Sequence, residues 1–210
     1  MRKSLTSKSM EGSAMIEYAF RDAEEEDIPK IINLLNETIV EVYGKILPED
    51  RLKPWAEGEQ LSSDVNNSWQ NMIVAEKAGV LVAVAARFDD LVGLVWVHPA
   101  HQRGGIGSVL LDIIETEIKK SGYGMAKLAC FSDNKRAIRF YLDKGWNLLS
   151  EEMNEEAGAS EMIMTKCLKK MDCAWKSKKC GTAYVTSICP VHRESVTRTV
   201  SVDGREQICP

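Results

Sequence analysis

Residues 95–111, VWVHPAHQRGGIGSVLL, read as the end of an apolar strand, a glycine-rich loop and the first turns of a helix. The strand covers Leu91 to Val97 and is apolar at nearly every position, the pattern of a strand buried on both faces. The helix places Ile106, Val109, Leu110, Ile113 and Ile114 on one stripe, with Ser108, Asp112, Glu115, Thr116 and Lys119 opposite. The first amides of a helix have no internal partner and lie at its positive dipole end, so glycines that open them to a ligand build an anion site. Gly104, Gly105 and Gly107 give that access, and Arg103 adds a positive charge. The spacing is Gln102-x-x-Gly105-x-Gly107. It has neither the Lys-Ser/Thr of a P-loop nor the G-x-G-x-x-G order of a dinucleotide turn.

Outward from this stretch the pattern alternates between strands and helices. On the N-terminal side, residues from Met15 alternate as a half-covered strand, Asp27 can cap a helix tolerant of Pro29, and Ile28, Ile31, Ile32, Leu35 and Ile39 recur at helical spacing. Residues 43–70 read as irregular or as a broken second helix. Strands Met72 to Glu76 and Val80 to Phe88 turn at Ala78-Gly79, and the corner Asp89-Asp90 leads to Leu91. On the C-terminal side come a strand from Met125 to Phe131 and a helix from Asn134 to Lys144 stopped by Gly145. A short strand from Trp146 to Leu149, an acidic loop SEEMNEEAGASE and a last strand from Met162 to Leu168 complete the body. The order β-α-α-β-β-β-α-β-α-β-β is that of an α/β protein whose sheet carries helices on both faces.

Composition sets the limits on function class. The 210 residues are 44% hydrophobic and 28% charged, enough for a core and too evenly mixed in sign for a disordered polyelectrolyte. The longest uninterrupted apolar run is the seven residues Val80 to Ala86, far below the roughly 20 of a membrane-spanning helix. The net charge of −4 hides a division. Residues 1–14 carry +2 and residues 168–210 carry +4, so the sixteen basic and twenty-six acidic residues between them amount to −10. Five of six cysteines (Cys167, Cys173, Cys180, Cys189, Cys209) lie in the last 44 residues. The expectation is a disordered basic leader at 1–14, an acidic globular domain at 15–168 and a small Cys-bearing basic extension at 169–210, in the reducing cytoplasm. Neither a nucleic acid nor a membrane is expected as partner, and homodimerisation is left open. Cys189-x-x-His192 has zinc-knuckle spacing without a second C-x-x-C, so the tail reads either as a small zinc β-unit or as partly ordered chain with unpaired thiols, and no metal ligand is assigned.

A second motif follows the glycine loop by about 30 residues: Asn134-x-x-Ala137-x-x-Phe140-Tyr141-x-x-x-Gly145-Trp146. The pair of motifs resembles the GNAT N-acetyltransferase superfamily, whose signature is [Arg or Gln]-x-x-Gly-x-[Gly or Ala]. Its next helix commonly carries Asn, Ala, an aromatic pair and Gly-Phe. The resemblance spans about residues 15–168 and implies a mixed, mostly antiparallel twisted sheet. It implies acetyl-CoA as co-substrate, with the acetyl group moved directly to a primary amine on a small molecule, polyamine or peptide.

By the same resemblance, Gln102 would be among the cofactor-binding residues, and the backbone of Val95 and Val97 would hold the pantetheine arm. The amides of Arg103, Gly104, Gly105, Ile106, Gly107 and Ser108 would hold the pyrophosphate. Asn134 would touch the cofactor arm, and Tyr141 would protonate the departing thiolate. Many relatives carry a base Glu in the strand before the loop, but the matching stretch here is Leu91-Val92-Gly93-Leu94. Asp90, Glu41 or a water chain stand as alternatives. His98 and Cys130 read as structural. The acidic body, with Glu151, Glu152, Glu155, Glu156 and Glu161 in one loop, is expected to attract a cationic amine. A non-catalytic acyl-CoA-binding regulatory protein, with the tail as interaction module, is the alternative.

Overall fold

The computed structural model describes residues 5–11, 14–56 and 59–168, with side chains for 18–53 and 59–168. The tail residues Cys173, Cys180, Cys189, His192 and Cys209 lie outside the described residues.

Turn chemistry sets the central strands. β3 (Met72–Lys77) and β4 (Val80–Phe88) are joined by Ala78 and Gly79 at φ 51° and 79°, the two left-handed residues of a tight hairpin turn. Asp89, at φ 53°, opens the next turn into β5 (Leu91–Val97). With β1 (Leu5–Glu11), β2 (Ala14–Asp22), β6 (Met125–Phe131), β7 (Asn147–Asn154) and β8 (Ala159–Cys167), they form one sheet in the order β1-β2-β3-β4-β5-β6-β8-β7. Every neighbouring pair is antiparallel except β5–β6.

The pleat sends alternate residues to two cores. Ile73, Ala75, Ala83, Ala85, Val95 and Val97 pack with Ile106, Leu110, Leu111 and Ile114 of α4 (Ile106–Lys120), and with Tyr141 of α5 (Lys135–Asp143). Met72, Val74, Val84, Ala86, Leu94 and Trp96 pack on the other face with Ile31, Leu34 and Leu35 of α1 (Ile28–Tyr43) and Val65 of α3 (Glu59–Ser68). The α1–α4 stripes read from the sequence are these contacts. No described helix is long and apolar enough to cross a membrane.

Two differences from the sequence reading have physical reasons. Residues 5–11, expected as disordered leader, form edge strand β1, paired from Leu5↔Phe20 to Glu11↔Ala14; backbone pairing there needs no apolar pattern. Residues 43–70, left open between irregular chain and a broken second helix, match the second reading with two short helices, α2 (Glu49–Ala56) and α3. The acidic stretch is a hairpin rather than a loop: β7 runs through Glu151 and Glu152 to Asn154 and pairs with β8. The segment following α1 closes on that hairpin, where Leu47, Phe131 and Ala157 form a third cluster with Tyr43 and Leu52, and Arg51 donates to the Glu156 carbonyl at 3.1 Å.

The start of α1 is tied to the sheet by charge. Asp27 is 1% exposed and accepts from both guanidinium nitrogens of Arg21, one at 3.0 Å, and from the Glu24 amide at 3.0 Å; Arg21 also donates to Glu76 of β3. The Arg21 hydrogen bonds outweigh burial and hold the Asp27 carboxyl down at about 2. Asp27→Asn is expected to destabilise the protein by about 2 kcal/mol at pH 7, less than a fully buried pair because Arg21 keeps solvent and Glu76. The folded carboxyl titrates below the unfolded one at about 3.9, so its contribution is complete above that pH and fades as pH falls toward 2. Urea unfolding of both proteins at pH 7 and at pH 2.5 should therefore show the gap closing in acid.

Candidate functional site

The parallel strands β5 and β6 share one bridge, Leu91↔Lys127, braced by the Lys127 amide donating to the Asp90 carbonyl at 2.9 Å. Beyond it no further pairing joins them, and the two strands diverge into a gap. Its cause lies on the other side of β5. Register with β4 slips between Ala86 and Arg87, leaving Gly93 as the extra residue of a bulge, under the Phe88 ring. A bulge bends and over-twists its strand, and here it turns β5 away from β6. The His98 amide donates to Val82 of β4 at 2.9 Å, so by alternation the backbone groups of Val95 and Val97 face the gap. The Val97 carbonyl accepts there from Gln102 Nε2 at 3.0 Å.

The loop after β5 is wound to present helix amides. His98 Nδ1 accepts from the Ala100 amide at 3.2 Å, capping the one-turn 3₁₀ segment Pro99–His101, with its Nε2 3.5 Å from Glu37. Arg103 and Gly105 then take left-handed φ of 67° and 82°. Gly105 is the N-cap of α4 and has no side chain to cap with, so the amides of Ile106, Gly107 and Ser108 are left for a ligand. A Cβ on Gly107 would meet Val97 Cγ2 at 3.5 Å and Phe140 Cζ at 3.8 Å, so the residue forms part of the cavity wall.

Helix α5 delivers Tyr141 to the same place. Asn134 is its N-cap, with Oδ1 accepting from the Ala137 amide at 3.1 Å. At the other end Gly145 (φ 80°) donates to the Leu142 carbonyl at 2.9 Å and Trp146 to the Tyr141 carbonyl at 3.0 Å, the paired bonds of a Schellman cap. Trp146, 1% exposed, sets its ring 6.0 Å from that of Tyr141 and donates Nε1 to Glu115 of α4 at 2.9 Å. Lys166 of β8 closes the arrangement on both Glu115 oxygens, at 2.8 and 2.7 Å. Burial, aided by Cys130 and Tyr43, pushes the Tyr141 phenol above its ordinary range, so it is protonated at neutral pH. Its hydroxyl makes no hydrogen bond to another described residue.

These elements enclose a cavity of about 470 Å³, within the usual range of ligand pockets. It brings together Val95, Val97, Gln102, Arg103, Gly105, Ile106, Gly107, Ser108, Asn134 and Tyr141. Gly104 is the one expected cofactor-binding residue off its wall, facing the His101 carbonyl and the Tyr18 hydroxyl instead. Thr38, Val42 and Tyr43 of α1, Trp96 of β5 and Arg136 of α5 also line it, none of them singled out by the sequence. For Arg136 a signal existed, since it stands two residues after Asn134, in the first turn of a helix read from the sequence. Neither Glu41, which is exposed, nor Asp90, which pairs with Lys127 at the closed end of the gap, lines the cavity. Among the described lining residues there is no carboxylate. His101 does line it, with its imidazole pushed down by burial and by Lys77 and His98, hence neutral at pH 7.

Several solved structures share this fold. The PaiA N-acetyltransferase of Thermoplasma acidophilum, in complex with coenzyme A, matches with a TM-score of 0.61 and 18% identity, covering 71% of this chain and 98% of that one. YncA of Salmonella typhimurium with its cofactor acetyl-CoA matches at 0.53 and 21%, covering 73% and 95%. The ribosomal-protein-S18-alanine N-acetyltransferase of Escherichia coli matches at 0.54 and 19%, covering 72% and 94%. At these identities the likeness is one of fold. Comparison with curated proteins finds no match. The acetyltransferase (GNAT) family model matches residues 36–146, more than half of the chain and the span holding the β5–β6 gap, the glycine loop and the Gly145 cap; the chain belongs to that family.

Proposed function

We propose that the protein transfers the acetyl group of acetyl-CoA to a primary amine by direct attack. The observation that carries this reading is the sheet gap, which puts unpaired strand backbone, uncapped helix amides and a protonated phenol on one cavity. The α4 amides with Arg103 and Arg136 suit a diphosphate, and Val95 and Val97 offer strand-like bonds to an amide-bearing arm. Asn134 retains its side-chain nitrogen for that arm, because capping uses only Oδ1. The amine nitrogen forms a bond to the thioester carbonyl carbon, the C–S bond breaks, the leaving thiolate takes its proton from Tyr141, and the phenolate recovers one from the nitrogen as the amide forms. The ammonium proton must leave first. Burial in a cavity without carboxylates lowers the amine's own pKa, and neutral His101 can accept a proton. The net −10 body draws the amine in as a cation. The Cys130 thiol, held in no disulfide, suits a reducing compartment such as the cytoplasm.

Three measurements test this. Tyr141→Phe should lower kcat by about 100-fold while the acetyl-CoA KM moves less than about twofold. Unaltered KM together with unaltered kcat would remove Tyr141 from the reaction, and acetyl-CoA binding without turnover of any amine would favour the binding-protein alternative. Gly107→Ala should raise stability by about 0.5–1 kcal/mol, as alanine does inside a helix, yet weaken acetyl-CoA binding; Gly105→Ala should lower stability by about 1 kcal/mol because of its φ of 82°. Denaturant melts with and without acetyl-CoA read both signs. Finally, His101 is already neutral at pH 7 and stays so as pH rises, so kcat/KM above pH 7 should climb with the free-amine fraction. Two amines of different basicity should then give profiles displaced by their pKa difference.

A further inference from the structure

The cavity does not stay on one face of the sheet. Val95 and Val97 point to the α4 side and Trp96 to the α1 side, yet all three line the same space, which therefore passes through the β5–β6 gap. Its two halves differ in chemistry. The α4–α5 half holds the helix amides, Arg103 and Arg136. The α1 half is walled by Thr38, Val42, Tyr43 and Trp96, with no charged side chain among these.

This wall is rigid and apolar. Tyr43 stands edge-on to Trp96 at 5.3 Å and 80°, and edge-on to the buried Phe131 at 5.1 Å and 89°. Thr38 already spends its hydroxyl proton on the Leu34 carbonyl at 2.7 Å. Neighbouring carboxylates are committed elsewhere: Glu37 faces His98, and Glu161 accepts from Asn154 at 3.1 Å. A second ammonium or a carboxylate on the acceptor would be buried in this half without a partner, which is unfavourable. An alkyl or aryl group would bury its surface against Trp96, Tyr43 and Val42.

Resting on the acetyltransfer reading above, we infer that the acceptor is a monoamine whose nitrogen carries an apolar or aromatic substituent seated in the α1 half, and not a polyamine or an amino acid. The amine approaches the gap from the face opposite the α4 amides, and Trp96 and Val42 set its specificity.

The test uses the full chain with saturating acetyl-CoA, CoA release being followed by chromatography. The probes are n-propylamine to n-hexylamine, which share one basicity, with 1,6-diaminohexane and 6-aminohexanoate as polar counterparts of the longest. Each buried methylene is worth about fourfold, so kcat/KM should climb about that much per carbon, with both polar counterparts at least about tenfold below hexylamine. Val42→Asp, at a half-buried helix position tolerant of charge, should invert the order of hexylamine and 1,6-diaminohexane. Trp96→Ala should raise the hexylamine KM more than it lowers kcat. A flat series, a wild-type preference for the diamine or the amino acid, or an unchanged order in Val42→Asp overturns this inference while leaving acetyl transfer intact. A protein that neither binds acetyl-CoA in a thermal-shift assay nor acetylates any of the amines overturns the acetyltransfer reading as well.

Discussion

The lone backbone bridge between β5 and β6 is the constraint on which the rest of the molecule is arranged. A sheet interior normally pairs every amide and carbonyl, since an unpaired buried group loses its hydrogen bonds to water without replacement. Here the bulge at Gly93 bends β5 away, and the cost is limited because the gap opens to solvent and Gln102 takes the Val97 carbonyl. The gap has to be flanked by packed layers on both faces to survive. α4 and α5 cover one, and α1 with the segment that reaches the β7–β8 hairpin covers the other.

Tyr141 is positioned by bonds that never touch the cavity. The Schellman cap fixes the end of α5, Trp146 leaves that cap into the core, and Glu115 receives Trp146 and Lys166 together. One carboxylate thus ties α4, the α5–β7 turn and β8, so the helix bearing the amides and the helix bearing the phenol are held in one frame. The Arg21–Asp27–Glu76 network secures the start of α1 to β2 and β3 in the same manner. Both networks are charged groups with their partners in place, which is how a small α/β layer structure can hold polar side chains inside.

Legibility in the sequence follows burial. β5, β6, α4 and α5 could be read because each has a face, or two, committed to a core, and that commitment imposes a period on the residues. β7 could not. Leu148, Leu149 and Met153 are more than half exposed, so this strand is an edge with no buried face and its glutamates gave no strand signal. The glycine spacing and the Asn134 motif were legible because they solve local backbone problems: an uncapped helix start and a capped one. Thr38, Val42 and Tyr43 solve none. They occupy ordinary positions on an amphipathic helix, and only the packing of α1 across the sheet brings them to the gap.

The missing carboxylate and the apolar α1 half are best understood as one feature. A glutamate in β5 would have extracted a proton from a solvated ammonium, but at the bulge this chain has Gly93, whose Cβ position is closed by the Phe88 ring at 2.6 Å. Any side chain there would have to push that ring aside, and the residue at the bend that opens the gap carries none. In the proposed reaction deprotonation is then left to desolvation: an ammonium entering between Tyr43 and Trp96 loses water and gains no anion, which favours the neutral amine. The same walls that would select an apolar substituent would also generate the nucleophile, and a polar wall could do neither.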